Sequence, residues 1–222
     1  MNITKVDIDK WQAAQQDELL VWKDSAGSDD WNKWWANHFD NYSFLNEFNI
    51  ETVAEVGCGP YANNIQYVIG ALETKPKSGM LNDPLLNEYI DAGKPVSTLI
   101  NKKVMLNSCP LEELPTNHTY DCVICINVLS HVYDVTKCMT NIYNILNPNG
   151  IFIFGEDLTN DEDLISAPEI LTDTMHPVRF TEEEIAKELE GYAAILDKTL
   201  SREEGRNPRA HYKTLIYSGQ KV

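Results

Sequence analysis

The stretch that decides the fold is Val53-Ala54-Glu55-Val56-Gly57-Cys58-Gly59-Pro60. This apolar segment carries one acidic residue and ends in two closely spaced glycines. The apolar part predicts a buried strand, in which the Glu55 carboxylate is costly unless a partner binds it. Gly57 and Gly59 allow the backbone to turn sharply and to approach a ligand closely. Because open α/β sheets bind cofactors at the carboxyl ends of their strands, we expect a ligand site directly after this segment.

The rest of the chain alternates between strand and helix patterns. Strands are predicted at 52–56, 79–82, 103–107, 121–127, 151–155, 193–200 and 212–218, and helices at 8–22, 29–48, 63–72, 84–92, 135–146 and 181–189. Residues 158–175 are loop-rich, with room for a short helix. The last two strands have no helix between them, so we expect them to pair antiparallel. The pattern predicts an α/β fold with a doubly wound, mostly parallel seven-stranded sheet and an antiparallel C-terminal strand.

Composition indicates one globular domain with a strongly acidic surface. The 222 residues include 18 Lys and Arg against 34 Asp and Glu, which gives a formal net charge of −16. Such a body repels phosphate backbones, so we expect no nucleic-acid partner. The first ten residues contain no apolar run, and no segment is long and apolar enough for a membrane span. We therefore expect a cytoplasmic protein.

The five cysteines are predicted to be reduced thiols. Their number is odd, and Cys122 and Cys125 form a C-x-x-C pair that could indicate metal or redox chemistry. The pair lies inside a predicted strand, however, where residues three apart face opposite sides of the sheet. This geometry favours a structural role, and we expect no metal site.

Aromatic residues concentrate in the N-terminal part of the chain. All five tryptophans precede residue 36, and one helical face of the second predicted helix repeats aromatic side chains at three- and four-residue steps: Trp31, Trp34, Trp35, His38, Phe39 and Tyr42. The pattern favours packing of these helices onto the main domain. A cap over a ligand pocket is the alternative, and one helix can serve both purposes.

The glycine turn alone does not identify the ligand. Residues 57–62 also match the dinucleotide pattern G-x-G-x-x-[GA], and Asp83 follows Gly59 at a distance that suits a ribose-binding carboxylate of either cofactor class. A nicotinamide-dependent oxidoreductase therefore remains an alternative at this point.

Four further segments bear on this choice. They are Leu81-Asn82-Asp83-Pro84-Leu85, Leu111-Glu112-Glu113-Leu114-Pro115, the run from Tyr120 through Asn127 to Val132, and Ile145-Leu146-Asn147-Pro148-Asn149-Gly150 with the strand behind it. In order and spacing, residues from about 50 to 157 resemble the class I S-adenosylmethionine-dependent methyltransferases, closest to their small-molecule-type branch. Tyr61 departs from the family pattern, which often has a third glycine there.

The resemblance implies S-adenosylmethionine as the cofactor and assigns residues to it. Glu55 would lie near the methionine ammonium, directly or through water, and Asp83 would bind the ribose hydroxyls, although Asp before Pro also suits a helix N-terminus. Leu111 and Glu112 would flank the adenine, and Asn127 would form the pocket floor. The full set of expected cofactor-binding residues is Glu55, Gly57, Cys58, Gly59, Pro60, Asp83, Pro84, Leu111, Glu112, Asn127 and Tyr42.

The sequence defines the residues that would bind the methyl acceptor less well than those that would bind the cofactor. Histidine suits proton removal at neutral pH, so His131 and His176 are the candidate catalytic bases, with Glu156 and Asp157 as further possibilities. We expect a small-molecule or sugar-like methyl acceptor. A protein that kept the fold and lost the chemistry is the remaining alternative. The expected organisation is one methyltransferase-like domain over residues 1–222, with a helical cap (1–49), a cofactor-binding core (50–157) and an acceptor-side loop with the C-terminal strands (158–222).

Overall fold

The computed structural model describes residues 4–24, 32–99, 103–166 and 173–222. Their centre is a seven-stranded sheet with the order β3-β2-β1-β4-β5-β7-β6. The strands are β1 (Thr52–Val56), β2 (Ser78–Asn82), β3 (Val104–Asn107), β4 (Tyr120–Ile126), β5 (Leu146–Leu158), β6 (Tyr192–Ser201) and β7 (Lys213–Lys221). Strands β1 to β5 run parallel, whereas β7 is antiparallel to both β5 and β6. The predicted fold class is confirmed.

Helices cover both faces of this sheet. Within the described residues the α-helices are α1 (Ile8–Asp24), α2 (Asn32–His38), α3 (Asn63–Ala71), α4 (Leu86–Asp91), α5 (Val135–Ile145), α6 (Asp161–Ser166) and α7 (Glu182–Glu188). Short 3-10 helices lie at Asp40–Glu47, Pro95–Leu99, Leu111–Glu113 and Leu129–His131. Helix α7 begins with a capping box, since Thr181 and Glu184 bind each other's backbone amides.

Side chains along each strand point alternately to the two faces of the sheet, so the apolar core has two halves. Val53 and Ile124 face the half that contains α2, α3 and the 3-10 helix Asp40–Glu47. Ala54 and Val123, their neighbours in sequence, face the half that contains α5 and α7. Strands buried on both faces explain the nearly continuous apolar runs of β4 and β5 in the sequence.

The second predicted helix, 29–48, is partly wrong. Residues 29–31 lie outside the described part of the chain, and α2 ends at His38. Asp40, Asn41 and Tyr42 follow with φ of 50°, 50° and 59°, so the backbone enters the left-handed region and continues as a 3-10 helix. Asp and Asn tolerate this conformation better than most residues, so the local sequence permits the break.

The C-x-x-C pair occupies opposite faces of β4, as the strand geometry predicts. Cys122 belongs to the α3 half of the core and Cys125 to the α5 half, and both side chains are fully buried. All five cysteines are free thiols. Among the described residues, no group of His, Cys, Asp and Glu side chains has an arrangement that could hold a metal ion.

No helix in the described part of the chain is long and apolar enough to cross a membrane.

The contact between α2 and β5 depends on a glycine. A Cβ atom at Gly155 would lie 2.7 Å from Cζ3 of Trp35, a side chain that is itself 1% exposed. The indole therefore packs directly against the backbone at the carboxyl end of β5.

We predict that Gly155→Ala destabilises the protein by about 1–3 kcal/mol, because the added methyl group overpacks this contact. Gly70→Ala is the control, since a Cβ there meets nothing within 4 Å inside α3; it should be neutral or stabilising by up to about 1 kcal/mol. Urea unfolding measures both. Equal stability of the two variants would contradict the proposed packing.

Candidate active site

A cavity of about 500 Å³ opens at the carboxyl ends of the parallel strands. It lies where the sheet order reverses, because β1 pairs with β2 on one side and with β4 on the other. Loops after β1, β2, β3 and β4 line one part of the cavity. Helices α1 and α2 and the C-terminal part of the chain line the rest, through Trp11, Gln15, Glu18, Val21, Trp22, Asn32, Trp35, Met175, His176, Arg206 and Asn207.

The glycine turn after β1 forms one wall of the cavity. Gly57 and Gly59 have φ of 61° and 56°, in the region that favours glycine. A Cβ at Gly57 would lie 2.4 Å from Cγ2 of Val128, whereas one at Gly59 would enter open space. Cys58 and Pro60 line the cavity with them. The turn thus brings bare backbone to the cavity, as the sequence predicts.

Asp83 lies at the same edge of the sheet, directly after β2. Its two carboxylate oxygens accept hydrogen bonds from the backbone amides of Gly59 and Leu85, each at 2.9 Å. It does not cap α4, which begins at Leu86 with Leu85 as its N-cap residue. Asp83 and the neighbouring Pro84 both line the cavity. A carboxylate has about four acceptor positions, so Asp83 retains capacity for a ligand.

Glu112 and Leu111 line the cavity after β3. The Glu112 carboxylate is 2% exposed and accepts hydrogen bonds from the backbone amides of Tyr133 and Asp134, at 2.6 and 2.9 Å. Its side chain therefore joins the loop after β3 to the loop after β4. Leu111 is buried and presents an apolar surface.

Glu55 requires a correction as regards direct contact with a ligand, whereas its expected contact through water stays a prediction. Its carboxylate is 2% exposed and accepts a hydrogen bond from the backbone amide of Ile65 at 3.0 Å, in the first turn of α3. Glu55 is absent from the residues that line the cavity, so its side chain has no direct access to a ligand there. Asn64, which does line the cavity, is hydrogen-bonded to Glu55. Glu55 thus holds the start of α3 in place beneath the site.

Tyr42 also requires a correction. The left-handed residues at 40–42 turn this side chain into the core, where it is fully buried and stacks on Phe39 with 5.4 Å between ring centroids. Tyr42 does not line the cavity. The aromatic residues that do so from the N-terminal helices are Trp11, Trp22 and Trp35.

Three buried polar atoms in the cavity wall lack a hydrogen-bond partner among the described residues. They are Oδ1 of Asn64, Oδ1 of Asn82 and the hydroxyl of Tyr61. The Asn82 amide nitrogen donates to the carbonyls of Cys109 and Asn107, at 2.8 and 3.2 Å, which fixes the amide orientation. Buried polar atoms are normally paired, so these three indicate a ligand with polar groups of its own.

Helix α1 closes the cavity from the side opposite the sheet. Nε1 of Trp11 and Nε2 of Gln15 donate to the carbonyl oxygen of His131, at 2.9 and 3.3 Å. A β-bridge between Lys5 and Asp134 holds the segment before α1. The N-terminal aromatic residues therefore pack onto the domain and also line the cavity.

Two histidines meet in the cavity wall. The rings of His131 and His176 lie 4.3 Å apart, centroid to centroid. Nδ1 of His131 is 3.0 Å from the carbonyl oxygen of Met175, and Nδ1 of His176 is 2.6 Å from Oδ2 of Asp173. The fold thus brings together both predicted catalytic histidines and adds a carboxylate that sequence reasoning missed.

The pKa values of His131 and Asp173 are set by burial, hydrogen bonds and neighbouring charges. Burial, followed by the nearby His176, lowers the pKa of His131 well below its usual value. Burial raises the pKa of Asp173, but the hydrogen bond from His176 and the charge of Arg179 outweigh this and lower the pKa to about 2. Asp173 is therefore a carboxylate at neutral pH, and the His131 ring is neutral.

Behind the histidines, Arg206 reaches the sheet from the β6–β7 connection. Its Nη2 donates to Oδ1 of Asn127 at 2.6 Å and to Oδ2 of Asp157 at 3.0 Å. Its guanidinium also lies 5.5 Å from the centre of the Trp35 ring. Sequence reasoning did not identify Arg206, because its partners are about 50 and 80 residues away.

Glu156 and Asp157 both support this end of the site from below. The Glu156 carboxylate is fully buried and accepts hydrogen bonds from the amides of Val128 and Leu129 and from the Ser130 hydroxyl, at 3.0, 2.8 and 3.1 Å. These bonds hold the 3-10 helix that carries His131. Neither carboxylate lines the main cavity.

A comparison with known families identifies the chain. The family model described as a methyltransferase domain matches residues 35–192. The chain belongs to this methyltransferase family. The sequence-based identification as a class I S-adenosylmethionine-dependent methyltransferase, with S-adenosylmethionine as the cofactor, is thereby confirmed.

Curated relatives include methyltransferases with different acceptors. The chain is 28% identical over 127 residues to a tRNA U34 carboxymethyltransferase of Campylobacter fetus, a match that covers 56% of this chain and 43% of the relative. It is 30% identical over 113 residues to a ubiquinone biosynthesis O-methyltransferase of Rickettsia bellii, covering 50% of this chain and 44% of the relative. The matches thus span less than half the length of these relatives.

Solved structures share the fold over nearly the whole chain. The N-methyltransferase NodS from Bradyrhizobium japonicum WM9, in complex with S-adenosyl-L-homocysteine, aligns with a TM-score of 0.62 and 14% identity over 96% of this chain and 98% of its own. The 1,6-didemethyltoxoflavin-N1-methyltransferase of Burkholderia thailandensis aligns with a TM-score of 0.59 and 15% identity, over 100% of this chain and 93% of its own. At this identity the likeness supports the fold.

We predict different costs for alanine at the two glycines of the turn. Gly57→Ala should destabilise the protein by about 2–4 kcal/mol, because it combines the clash with Val128 and a left-handed backbone. Gly59→Ala is the matched control and should cost about 1 kcal/mol, from backbone conformation alone. Urea unfolding of the ligand-free protein measures both, and equal losses would contradict the close approach at Gly57.

We predict that the ligand-free protein loses stability as the pH rises from about 5 to about 8. Burial raises the pKa of Glu55 to about 8, of Glu156 to about 7 and of Asp83 to about 6, against opposing backbone hydrogen bonds. Because these pKa values exceed those of the unfolded chain, the stabilisation is complete below about pH 4 and is lost as the pH passes through the folded values.

Glu55→Gln tests this dependence, since an amide oxygen can still accept from Ile65 but cannot titrate. Urea unfolding across this pH range should show a flatter decline for Glu55→Gln than for the wild type. Glu73→Gln, a change at an exposed position, serves as the control and should retain the wild-type decline. A wild-type stability that is constant from pH 5 to pH 8 would refute the prediction.

Proposed function

We propose that this protein transfers a methyl group from S-adenosylmethionine to a small-molecule acceptor. The observation that carries the proposal is the composition of the cavity. The glycine turn after β1, the carboxylates of Asp83 after β2 and Glu112 after β3, residues of α1 and two histidines all line it. A cavity of about 500 Å³ suits a cofactor and a small acceptor together.

The residues at the strand ends fit this cofactor. The free Oδ1 of Asn82 and the remaining acceptor positions of Asp83 match the amino and hydroxyl donors of an adenosyl group. We propose that Gly57, Cys58, Gly59 and Pro60 pack against the cofactor, that Asp83 and Pro84 hold its ribose, and that Leu111 and Glu112 flank its adenine. When bound, the cofactor supplies an activated methyl group on a sulfonium.

The protein's own contribution is positioning, exclusion of water and proton removal. Asn127 and Val128 at the end of β4 form the floor between the two parts of the cavity, and Trp11, Trp22 and Trp35 shield the acceptor from solvent. We propose that His131 and His176 face the acceptor, where a neutral imidazole can take its proton. In this scheme residues 1–49 act as the cap, 50–157 bind the cofactor and 158–222 complete the acceptor side.

The net charge of the protein and the enclosed shape of the cavity favour a small acceptor over a nucleic acid. The net charge of −16 opposes binding of a phosphate backbone. The acceptor end of the cavity is walled by helix α1 instead of opening as a basic groove. A nicotinamide-dependent enzyme and a non-catalytic binding protein are the competing functions that the first experiment separates.

Thermal-shift titration tests the cofactor. S-adenosylhomocysteine and S-adenosylmethionine should each raise the melting temperature by several degrees at a concentration 100 times the Kd, since binding to the folded state adds about 2.7 kcal/mol. A shift with NADH and none with either adenosyl compound would overturn the proposal. A shift without methyl transfer to any acceptor of a broad panel would indicate the non-catalytic alternative.

Asp83→Asn should weaken S-adenosylhomocysteine binding roughly 10- to 100-fold, because a charged hydrogen-bond partner of the ribose is lost. Asp121→Asn is the matched control. That carboxylate also accepts from backbone amides, those of Glu51 and Thr52 at 2.9 Å each, but it lies at the opposite end of β1 and outside the cavity lining. Isothermal titration calorimetry on folded protein measures both. An unchanged affinity in Asp83→Asn would contradict the ribose role.

A further inference from the structure

Hydrogen bonds at the acceptor end fix the tautomers of both histidines. A carbonyl oxygen and a carboxylate can only accept, so Nδ1 of His131 carries the proton that binds Met175, and Nδ1 of His176 carries the proton that binds Asp173. In its neutral form, each ring therefore has a lone pair on Nε2. Neither Nε2 atom has a hydrogen-bond partner among the residues that the structure describes, and both histidines line the cavity. This end thus offers two hydrogen-bond acceptors.

Asn127 contributes a hydrogen-bond donor. Arg206 can only donate, so the Asn127 oxygen, 2.6 Å from Nη2 of Arg206, is occupied and the amide nitrogen is directed elsewhere. That nitrogen has no partner within the described part of the chain. Asn127 and His176 line both the main cavity and a small adjoining cavity of about 20 Å³, so they are neighbours. A hydrogen-bond donor therefore lies beside the two acceptors.

The remaining walls combine aromatic rings with polar side chains. Trp11 and Trp35, 8% and 1% exposed, line the cavity together with Trp22, and Gln15, Glu18, Asn32 and Asn207 line it as well. The indole nitrogens of Trp11 and Trp22 already donate to His131 and to Glu18, at 2.9 and 2.5 Å, so the rings offer apolar surface. The charge of Arg206 is balanced by Asp157. The tryptophan rings favour an aromatic ring in the acceptor, and the Glu18 carboxylate disfavours an acidic group there.

We infer that the methyl acceptor is a hydroxyl group on an aromatic ring, and that His176, oriented by Asp173, removes its proton. This inference rests on the proposed methyltransferase function. A hydroxyl oxygen has two lone pairs, so one can accept from Asn127 while the other attacks the methyl carbon. A neutral amine has a single lone pair, and a bond from Asn127 would block its attack.

The reaction balances without a further reactant. The hydroxyl proton passes to Nε2 of His176, an oxygen lone pair forms the O–CH₃ bond, and the electron pair of the S–CH₃ bond remains with sulfur. Asp173 stabilises the resulting imidazolium through the bond to Nδ1, as in other acid–base dyads. Among the described residues His131 has no such carboxylate partner at hydrogen-bond distance, since Glu18 is 3.7 Å away. The hydroxyl has a single hydrogen, which it donates to His176, so Nε2 of His131 is left to accept from a second donor group of the acceptor molecule.

Binding in the presence of saturating S-adenosylhomocysteine tests the acceptor class separately from the cofactor. The probes are 4-methylphenol, 4-methylanisole, benzylamine and benzoate, measured by calorimetry. We expect 4-methylphenol to bind roughly tenfold or more tightly than 4-methylanisole, which lacks the donor hydrogen, and more tightly than both charged probes. His176→Phe should remove the preference for the phenol, whereas His118→Phe, a change at an exposed position outside the cavity lining, should retain it.

Turnover with two phenols tests the base. With 4-methylphenol, His176→Gln should lower kcat on the order of 100-fold or more. With 4-nitrophenol at a pH where it is already ionised, the loss should be less than about tenfold, because no proton has to be removed. Asp173→Asn gives a second variant and should show the same dependence on the acceptor at smaller amplitude. A structural role for His176 would lower both rates equally.

Two outcomes separate this inference from the proposed function. If S-adenosylhomocysteine does not bind, the proposed function fails. If it binds but benzylamine or benzoate binds as tightly as 4-methylphenol, or if His176→Gln lowers both phenol rates equally, the methyltransferase assignment stands and the hydroxyl acceptor is wrong. Absence of methylation of either phenol, with the cofactor bound, also overturns the inference.

Discussion

The site depends on buried carboxylates that bind the backbone amides of the surrounding loops. Glu55 holds the start of α3, Asp83 joins the loop after β2 to the glycine turn, Glu112 holds the loop after β4, and Glu156 holds the 3-10 helix that carries His131. Each of these side chains is buried. Loops normally tolerate variation, but here each is tied to its neighbour by hydrogen bonds from backbone amides to a buried carboxyl group.

This arrangement couples the stability of the fold to the geometry of the site. Burial of a carboxylate is costly, and it raises the pKa of Glu55, Asp83 and Glu156 despite their hydrogen bonds. The cost is offset because amide groups that would otherwise be unpaired at the ends of strands and helices are satisfied. Asp83 is also in the cavity wall, so one side chain both holds the turn and remains available to a ligand.

The C-terminal strands complete the part of the cavity that contains the two histidines through a second set of charges. Arg206, between β6 and β7, joins Asn127 at the end of β4 to Asp157 at the end of β5. Antiparallel pairing of β7 with β5 brings this connection back over the carboxyl edge of the sheet. The orientation of Asn127, and with it the polarity of the acceptor end, therefore depends on a residue about 80 positions away.

The sequence by itself determined the sheet, the glycine turn and the family, because these depend on local patterns: apolar runs, turn residues and short motifs. It could not determine where Glu55 and Tyr42 point. A burial pattern does not reveal that an amide of α3 binds Glu55, or that three left-handed residues turn Tyr42 into the core. Tertiary structure alone decided three features of the site. The contacts of Arg206 with Asn127 and of α1 with His131 join residues far apart in the chain, which no local pattern reveals. The Asp173–His176 pair lies in an irregular segment, where the sequence has no periodic pattern.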